Sequence, residues 1–212
     1  MSFLLSLRPD MPVTSKLAHI RKTGFAIYFL ISLILVSFAF FVFFSVKSSV
    51  LDMKRMAVLS SAKMQVLDLS LAAMDTLVDK AEGHIQQSRL KEIENGFVNL
   101  DAMIPQIEEV DVLLDSSVDM DDFKKAARDY ETAIKTDLVS AVIKGADESY
   151  FAALDDRIDG DGDKLSTGIA QLIQLMTERQ DVTFQRMMIS LYFLIALSGV
   201  LLFGVVAFGF QL

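Results

Sequence analysis

The sequence predicts an all-α protein, namely a membrane-anchored antiparallel four-helix bundle whose helices 1 and 4 are continuous with two transmembrane helices. Two long uncharged apolar segments lie near the two ends of the chain, and between them apolar residues recur at alternating intervals of three and four. Of the 212 residues, 52% are hydrophobic, 16 are Phe and none is Cys. The lack of cysteine excludes disulfide frameworks, thiol catalysis and cysteine metal sites, and the net charge of -8 argues against binding of nucleic acid.

The two apolar segments predict two membrane spans. Residues 24–46 contain no charged residue, and about 20 apolar residues suffice to cross the hydrocarbon core of a bilayer. A cleavable signal peptide is the alternative for this segment, but its apolar core would be only about 7 to 15 residues long. Residues 187–212 are also uncharged, and Gly199, Gly204 and Gly209 permit close contact between helices there. The lipid bilayer is therefore an expected partner of the chain.

The distribution of charge predicts the orientation in the membrane. Residues 1–23 contain four basic residues and one acid, Asp10, whereas every other acidic residue lies in 47–186. Because lysine and arginine in short flanking segments favour retention in the cytoplasm, the N-terminus is expected to be cytoplasmic. We therefore expect a two-pass membrane protein with a cytoplasmic basic leader (1–23), a transmembrane helix (24–46), a middle segment (47–186) outside the inner membrane, which in a bacterium is the periplasm, and a second transmembrane helix (187–212).

The first helix of the middle segment is predicted from a row of mostly apolar residues with 3-4 spacing. Such a row, held over about five heptads, is typical of the seam of a left-handed supercoil. Its members are Val50, Met53, Ala57, Ser60, Met64, Leu67, Leu71, Met74, Val78, Ala81 and Ile85. The helix is expected to run unbroken out of the first span to about Gln87, with this seam against the other helices of the bundle.

Two shorter helices are predicted to follow. The seam of the second comprises Leu90, Ile93, Phe97, Leu100, Ile104, Ile107, Val110 and Leu114. Because Pro105 within it lacks a backbone donor, we expect a kink or an earlier helix end there. A turn at 115–122 is expected to supply Asp119 or Ser117 as the N-cap of the third helix. That helix, at about 120–143, is expected to pack through Phe123, Ala126, Ala127, Tyr130, Ala133, Ile134, Leu138, Ala141 and Val142.

The fourth helix is predicted to follow Gly145, which suits the left-handed position that ends a helix, and to be capped by Asp147. Its seam comprises Phe151, Leu154, Ile158, Gly162, Leu165, Ile169, Leu172 and Met176. It is expected to continue into the second span. Two long and two short helices with short connections close a four-helix bundle, in which the short helices cover the distal part and leave a two-helix stalk near the bilayer.

No catalytic constellation is found in the sequence, so we expect neither an enzyme nor a cofactor. The acidic run at 155–163 suggests a calcium loop, but Lys164 stands where such a loop needs glycine and Ala170 where it needs glutamate. A solvated helix face is therefore expected there rather than a metal site. His19 and His84 are predicted to lie on opposite sides of the membrane, which excludes a metal site shared between them.

The whole layout resembles the N-terminal sensor region of a bacterial methyl-accepting chemotaxis protein of the four-helix-bundle ligand-binding type. The resemblance is carried by the basic leader, by GFAIYFLISLILVSFAFFVFFSV, by the long helix from SSVLDMKRMAVLSSAKMQVLDLSLAAM, and by ALDDRIDGDGDKLSTGIAQLIQLMTERQ leading into the second span. It implies a homodimer in which a small-molecule ligand, or a ligand-loaded periplasmic binding protein, shifts the last helix. Such receptors continue into a cytoplasmic signalling domain, which is absent from these 212 residues.

The resemblance also implies a ligand pocket between the helices near the distal end, where cations hold a carboxylate. The cations at that height are Lys80, Arg89 and Arg157, which would bind an anionic ligand by charge-assisted hydrogen bonds. Solvated surface charge is the alternative for each of them. Input modules of sensor histidine kinases and diguanylate cyclases have a similar layout, and a standalone membrane scaffold is the alternative from another class.

Overall fold

Four helices make up the described part of the chain. The computed structural model describes residues 13–78, 80 and 83–209, and no strand occurs among them. We label the helices α1 (Val13–Val78), α2 (Gln87–Leu114), α3 (120–144) and α4 (Glu148–Gly209), where α3 comprises Met120–Glu131, a π-helical stretch Thr132–Leu138, and Val139–Lys144. The all-helical prediction is confirmed. The first twelve residues of the predicted leader, Ala81 of the predicted first seam and the last three residues of the chain lie outside the described residues.

The chain divides into two compact units. One takes in the residues up to Ser48 and from Arg186 onward, and the other comprises Ser49–Gln185. In the first unit, α1 and α4 each carry a stretch that is long and apolar enough to cross a membrane by length and composition, with mean hydropathy of 2.7 and 1.6. None of the 18 residues in the most apolar window of each stretch is buried, and the rings of Phe25, Phe43 and Phe203 are exposed.

The second unit is built around a core to which all four helices contribute. The seams predicted for α3 and α4 are buried throughout, from Phe123 to Val142 and from Phe151 to Met176, so both predictions are confirmed. Most of the predicted α2 seam is buried as well, and α2 continues through Pro105 to Leu114, so the expected early end is wrong. The core therefore follows the apolar periodicity of the sequence in three of the four helices.

The predicted face of α1 is wrong. Every described member of its predicted seam from Val50 to Val78 is exposed. The buried residues of α1 form a different row, again with 3-4 spacing, that consists mostly of smaller side chains. They are Asp52, Leu59, Ala62, Val66, Leu69, Ala72, Ala73 and Thr76. The helix therefore turns its smaller residues toward α2, α3 and α4, and its larger methionines and leucines toward solvent.

The connections follow predicted turn chemistry. Oδ1 of Asp119 accepts hydrogen bonds from two backbone amides of α3 at 3.0 Å, and Oδ1 of Asp147 accepts from Tyr150 N at 2.8 Å, so both predicted caps are confirmed. Gly145 has a φ of 65°, which is the left-handed conformation that glycine adopts without a steric penalty. The end of α1 was predicted too late, because the helix ends at Val78 and the chain turns at Gly83, whose φ is 67°.

Ion pairs define how neighbouring helices of this unit run. Arg55 Nη2 lies 3.0 Å from Oε1 of Glu109, and Arg89 Nη1 lies 2.5 Å from Oδ2 of Asp75, so residue numbers rise along α1 where they fall along α2. The same reversal relates α1 to α4 through the pairs Lys80–Glu148 and Asp52–Arg179. α2 reaches Arg55, so it lies beside the part of α1 where the sequence predicts a stalk of only two helices.

Close packing of α1 against α2 depends on Gly96. A Cβ at this position would lie 2.6 Å from Cδ2 of Leu69 and 3.1 Å from Nε2 of Gln65. Leu69 is buried and cannot move aside without disturbing the core. Gly160 on α4 is the opposite case, because an added Cβ would meet nothing within 4 Å.

We predict that Gly96→Ala destabilises the protein by about 1 kcal/mol, since overpacking outweighs the gain in helix propensity. Gly160→Ala, its matched control, gains that propensity without a clash and is expected to stabilise by up to about 1 kcal/mol. Thermal unfolding of both variants, followed by circular dichroism, checks the two signs. Stabilisation by both substitutions would contradict the close contact between Gly96 of α2 and Leu69 of α1.

Candidate functional site

The three cations predicted to hold an anionic ligand are paired with acids from other helices. Lys80 lies just after α1, and its Nζ lies 2.8 and 2.9 Å from the carboxylate oxygens of Glu148 on α4. The same Nζ lies 5.2 Å from the centroid of the Phe151 ring, which adds a cation–π contact. Arg89 at the start of α2 pairs with Asp75 of α1. Two of the three predicted residues thus join helix ends of the bundle.

Arg157 on α4 donates from Nη2 to Oδ2 of Asp137, in the π-helical stretch of α3. An anionic ligand at any of these cations would compete with a carboxylate already in place, and a displaced carboxylate would have to be solvated again. The three cations belong to three separate ion pairs. None of them lines the groove that lies between α1 and α4. Their role in ligand binding remains a prediction.

A groove of about 360 Å³ lies between α1 and α4. Its walls combine hydroxyl groups, carboxylates, one ammonium group and aliphatic side chains, which is the mixture found in sites for small polar molecules. The residues that line it are Ser60, Lys63, Met64, Val66, Leu67 and Ser70 from α1, and Asp159, Gly162, Asp163, Ser166 and Ile173 from α4. This combination of residues is not predicted as a site by any motif in the sequence.

The floor of the groove is held in place by Tyr130 of α3, whose side chain is fully buried. Its hydroxyl lies 2.7 Å from Oγ of Ser70 and donates to the carbonyl oxygen of Val66 at 3.2 Å. On the other side a Cβ at Gly162 would lie 3.3 Å from Cε2 of the Tyr130 ring, so the α4 backbone rests on that ring. Phe97 of α2 meets the ring edge-on, with centroids 5.8 Å apart. Tyr130 therefore joins all four helices beneath the groove.

The electrostatic character of the groove is acidic. Asp159 and Asp163 face one cation, Lys63, across the opening. Burial raises the pKa of the Asp159 carboxyl, and the neighbouring carboxylates of Asp155, Asp163 and Asp156 raise the pKa further. A bound cation would relieve this repulsion, whereas a simple anion would add to it.

The acidic run of α4 is only partly the solvated face that the sequence predicts. Asp161 is buried, and its Oδ1 lies 3.0 Å from Nζ of Lys164, one helical turn away. The pair raises the pKa of Lys164 through the hydrogen bond and the attraction to Asp161. Among the described residues, no group of three or more histidine, aspartate or glutamate side chains is arranged to hold a metal ion.

A second feature missed in the sequence is a chain of charges at the opposite end of the unit from Lys80. The carboxylate of Asp52 is only 2% exposed, and its oxygens lie 3.4 Å from Arg55 Nη1 and 3.7 Å from Arg179 Nε. Arg55 in turn donates to Glu109 at 3.0 Å. The chain of charges joins α1, α2 and α4. The signal for it was present, because Asp52 stands in 3-4 register with the small buried residues of α1.

Comparison of the chain with protein-family models, with curated proteins and with solved structures found no match. The site is therefore interpreted from its own geometry.

We predict that Tyr130→Phe destabilises the protein by about 1 to 2 kcal/mol at neutral pH, because the Ser70 and Val66 partners lose a buried hydroxyl. Burial raises the pKa of Tyr130 to about 12 in the folded protein. The unfolded chain, with a tyrosine pKa near 10, therefore ionises first, and this residue costs up to ~1.4 kcal/mol of stability per pH unit between about 10 and 12.

The stability difference between the wild type and Tyr130→Phe should accordingly shrink as pH rises above 10. Denaturant unfolding at a series of pH values measures it, with the exposed Tyr150→Phe as the matched control. Parallel pH profiles for the wild type and Tyr130→Phe would show that the hydroxyl is not buried in solution.

Proposed function

We propose that this chain is the sensory input module of a bacterial transmembrane receptor of the chemoreceptor type. In this proposal 24–46 and 187–212 span the inner membrane, and 47–186 is a periplasmic antiparallel four-helix bundle. The observation that carries the proposal is that the two helices lining the groove, α1 and α4, are the same two that contain the apolar stretches. A ligand between them would thus contact both polypeptide segments that enter the bilayer.

The mechanism follows from differential binding. A ligand shifts an equilibrium between two helix arrangements only by the difference in its affinity for them. The groove lies above Tyr130, which forms a hydrogen bond with Ser70 of α1 and contacts the α4 backbone at Gly162. Small displacements of α4 therefore change the shape of the groove. Since α4 is an unbroken helix from Glu148 to Gly209, such a displacement is passed along its length rather than absorbed in a loop.

The ligand class follows from the charges. A small molecule with an ammonium group would satisfy Asp159 and Asp163, while an anionic ligand would have to displace the acids paired with Lys80, Arg89 or Arg157. A ligand-loaded periplasmic binding protein is the other partner class for such a module. The receptor acts as a homodimer and passes ligand occupancy to a cytoplasmic signalling domain; it is not itself an enzyme.

We predict that a ligand of the groove stabilises the full-length chain in detergent or nanodiscs, by about 2.7 kcal/mol at a hundredfold excess over its Kd. The measurement is a thermal shift across separate panels of organic amines, carboxylates and binding proteins. Asp163→Asn in the groove should weaken an amine ligand roughly tenfold or more. Asp181→Asn, at an exposed acid of the same helix outside the groove, is the matched control.

Two other outcomes would favour the alternatives to the groove. If Arg157→Gln abolishes the shift and Asp163→Asn does not, the anionic site predicted from the sequence replaces the groove. If no panel produces a shift, direct sensing fails and a membrane scaffold becomes the better interpretation.

We predict separately that a reporter fused after Leu100 is active only when it requires the periplasm, because the basic residues of 1–23 favour a cytoplasmic N-terminus. Paired fusions to alkaline phosphatase and to a fluorescent protein that matures in the cytoplasm measure this. Fluorescence with no phosphatase activity would reverse the proposed orientation.

A further inference from the structure

Helix α3 is not α-helical throughout. Its π-helical stretch, Thr132–Leu138, is flanked by α-helix at Met120–Glu131 and Val139–Lys144. A π-helix forms hydrogen bonds between residues five apart, so it holds a surplus residue relative to an α-helix, and such stretches are rare and often mark functional sites. Of the helices that the structure describes, α3 alone contains one. The stretch therefore has a role that is specific to this helix.

The amino-acid sequence of α3 specifies the surplus residue. The buried side chains of Tyr130, Ile134, Leu138 and Val142 follow one another in steps of four. In an α-helix of about 3.6 residues per turn, each step of four over-rotates by about 40°, so the last of these side chains would lie about 120° away from the first. One surplus residue takes up about 100° of this rotation. The π-helical stretch thus keeps all of these side chains in the core.

An acid in the stretch disfavours the α-helical alternative. The 3-4 spacing of a regular α-helix would place Asp137, rather than Leu138, on the buried side after Ile134. In the structure Leu138 is fully buried, and Asp137 accepts a hydrogen bond from Arg157 of α4. Because burial of an unpaired carboxylate is costly, this sequence favours the π-helical form.

The two ends of the stretch are joined to different helices. Just before it, the hydroxyl of Tyr130 lies 2.7 Å from Oγ of Ser70 on α1. Near its end, Asp137 is paired with Arg157 of α4. Beyond the stretch, only residues 145–147 connect α3 to α4. The half of α3 before the stretch is thus tied to α1, and the half after it is tied to α4.

The other contacts of this region permit movement. The ring of Tyr130 meets the α4 backbone at Gly162 in a van der Waals contact, which can slide. Lys135 within the stretch pairs with Glu94 of α2, whose side chain is 58% exposed, and solvated ion pairs of this kind constrain a helix weakly. A displacement of α4 against α1 would therefore deform α3 between Tyr130 and Asp137, within the π-helical stretch.

We infer that the π-helical stretch is a compliant joint in α3, which lets the half of α3 after it move with α4 while the half before it stays with α1. Exchange between hydrogen bonds four and five residues apart changes the length and twist of the stretch without breaking the helix. The displacement of α4 that the joint accommodates rests on the proposed function. The joint itself rests on the contacts and the side-chain spacing of α3.

Amide hydrogen exchange of the full-length chain in nanodiscs tests the joint without any ligand. Amides of 132–138 should exchange at least tenfold faster than those of 123–130 in α3 and 165–172 in α4, because opening of the joint does not require the bundle to unfold. Exchange of 132–138 as slow as that of these two regular segments would overturn the inference.

Removal of the surplus residue gives a matched pair of variants. Deletion of Thr136, an exposed residue of the stretch, leaves the seam with steps of four, three and four, which a regular α-helix keeps in phase. Deletion of Arg128, an exposed residue in the α-helical part of α3, instead rotates the preceding turns by about 100° and takes Phe123 out of the core.

The Thr136 deletion should leave the thermal midpoint equal to that of the wild type or raise it, whereas the Arg128 deletion should lower the midpoint by roughly 10 °C or more. The Thr136 deletion should also slow exchange in the remainder of the stretch to the rate of the flanking α-helix. A midpoint lowered as far as in the Arg128 deletion would contradict the surplus residue. Fast exchange that persists in a stable Thr136 deletion would refute the joint.

The joint and the proposed sensing function can fail separately. Slow exchange of 132–138 together with a persisting ligand thermal shift would refute the joint and leave sensing in place. Fast exchange that the Thr136 deletion abolishes, with no thermal shift from any ligand panel, would support the joint and count against sensing.

Discussion

The two apolar faces of α1 are the constraint on which the rest of the structure depends. A helix of this length with a single apolar row needs one partner surface, whereas α1 carries two rows, offset by about two residues and both spaced by three and four. Only one row can face the core of the second unit. The row with the smaller residues is buried, and its Leu69 packs directly against Gly96 of α2. The larger row is then left on the surface.

This choice also creates the groove between α1 and α4. Turning the small residues inward leaves Met64 and Leu67 at the edge of the contact with α4, where they form one wall of the groove. The opposite wall is formed by α4, whose backbone lies against the Tyr130 ring at Gly162. Met64 and Leu67 consequently line the groove and remain largely exposed.

The sequence predicted the positions of the helices better than it predicted which side of each helix is buried. In α3 and α4 a single row of apolar residues exists, so periodicity alone identified Phe123, Tyr130 and Leu165 as core residues. In α1 two rows share the 3-4 spacing, and the row predicted as the seam, from Val50 to Val78, is the one that the structure exposes. The helix ends could be predicted because Asp119 and Asp147 cap backbone amides within three residues of themselves, and Gly145 adopts the left-handed conformation at its own position. The groove could not be predicted from the sequence, because Lys63 and Asp163 are 100 residues apart and meet only through the packing of α1 against α4.

The buried carboxylate of Asp52 bears on what the bundle can do. Replacing a buried ion pair by apolar residues is often neutral or stabilising, so such a pair adds little to stability for its own sake. Its effect is on register, because sliding α4 by one turn, about 5.4 Å, would carry Arg179 away and leave Asp52 buried with only Arg55 beside it. Smaller displacements keep the charges in contact. The chain of charges therefore restricts α4 to small movements against α1 at this end of the unit.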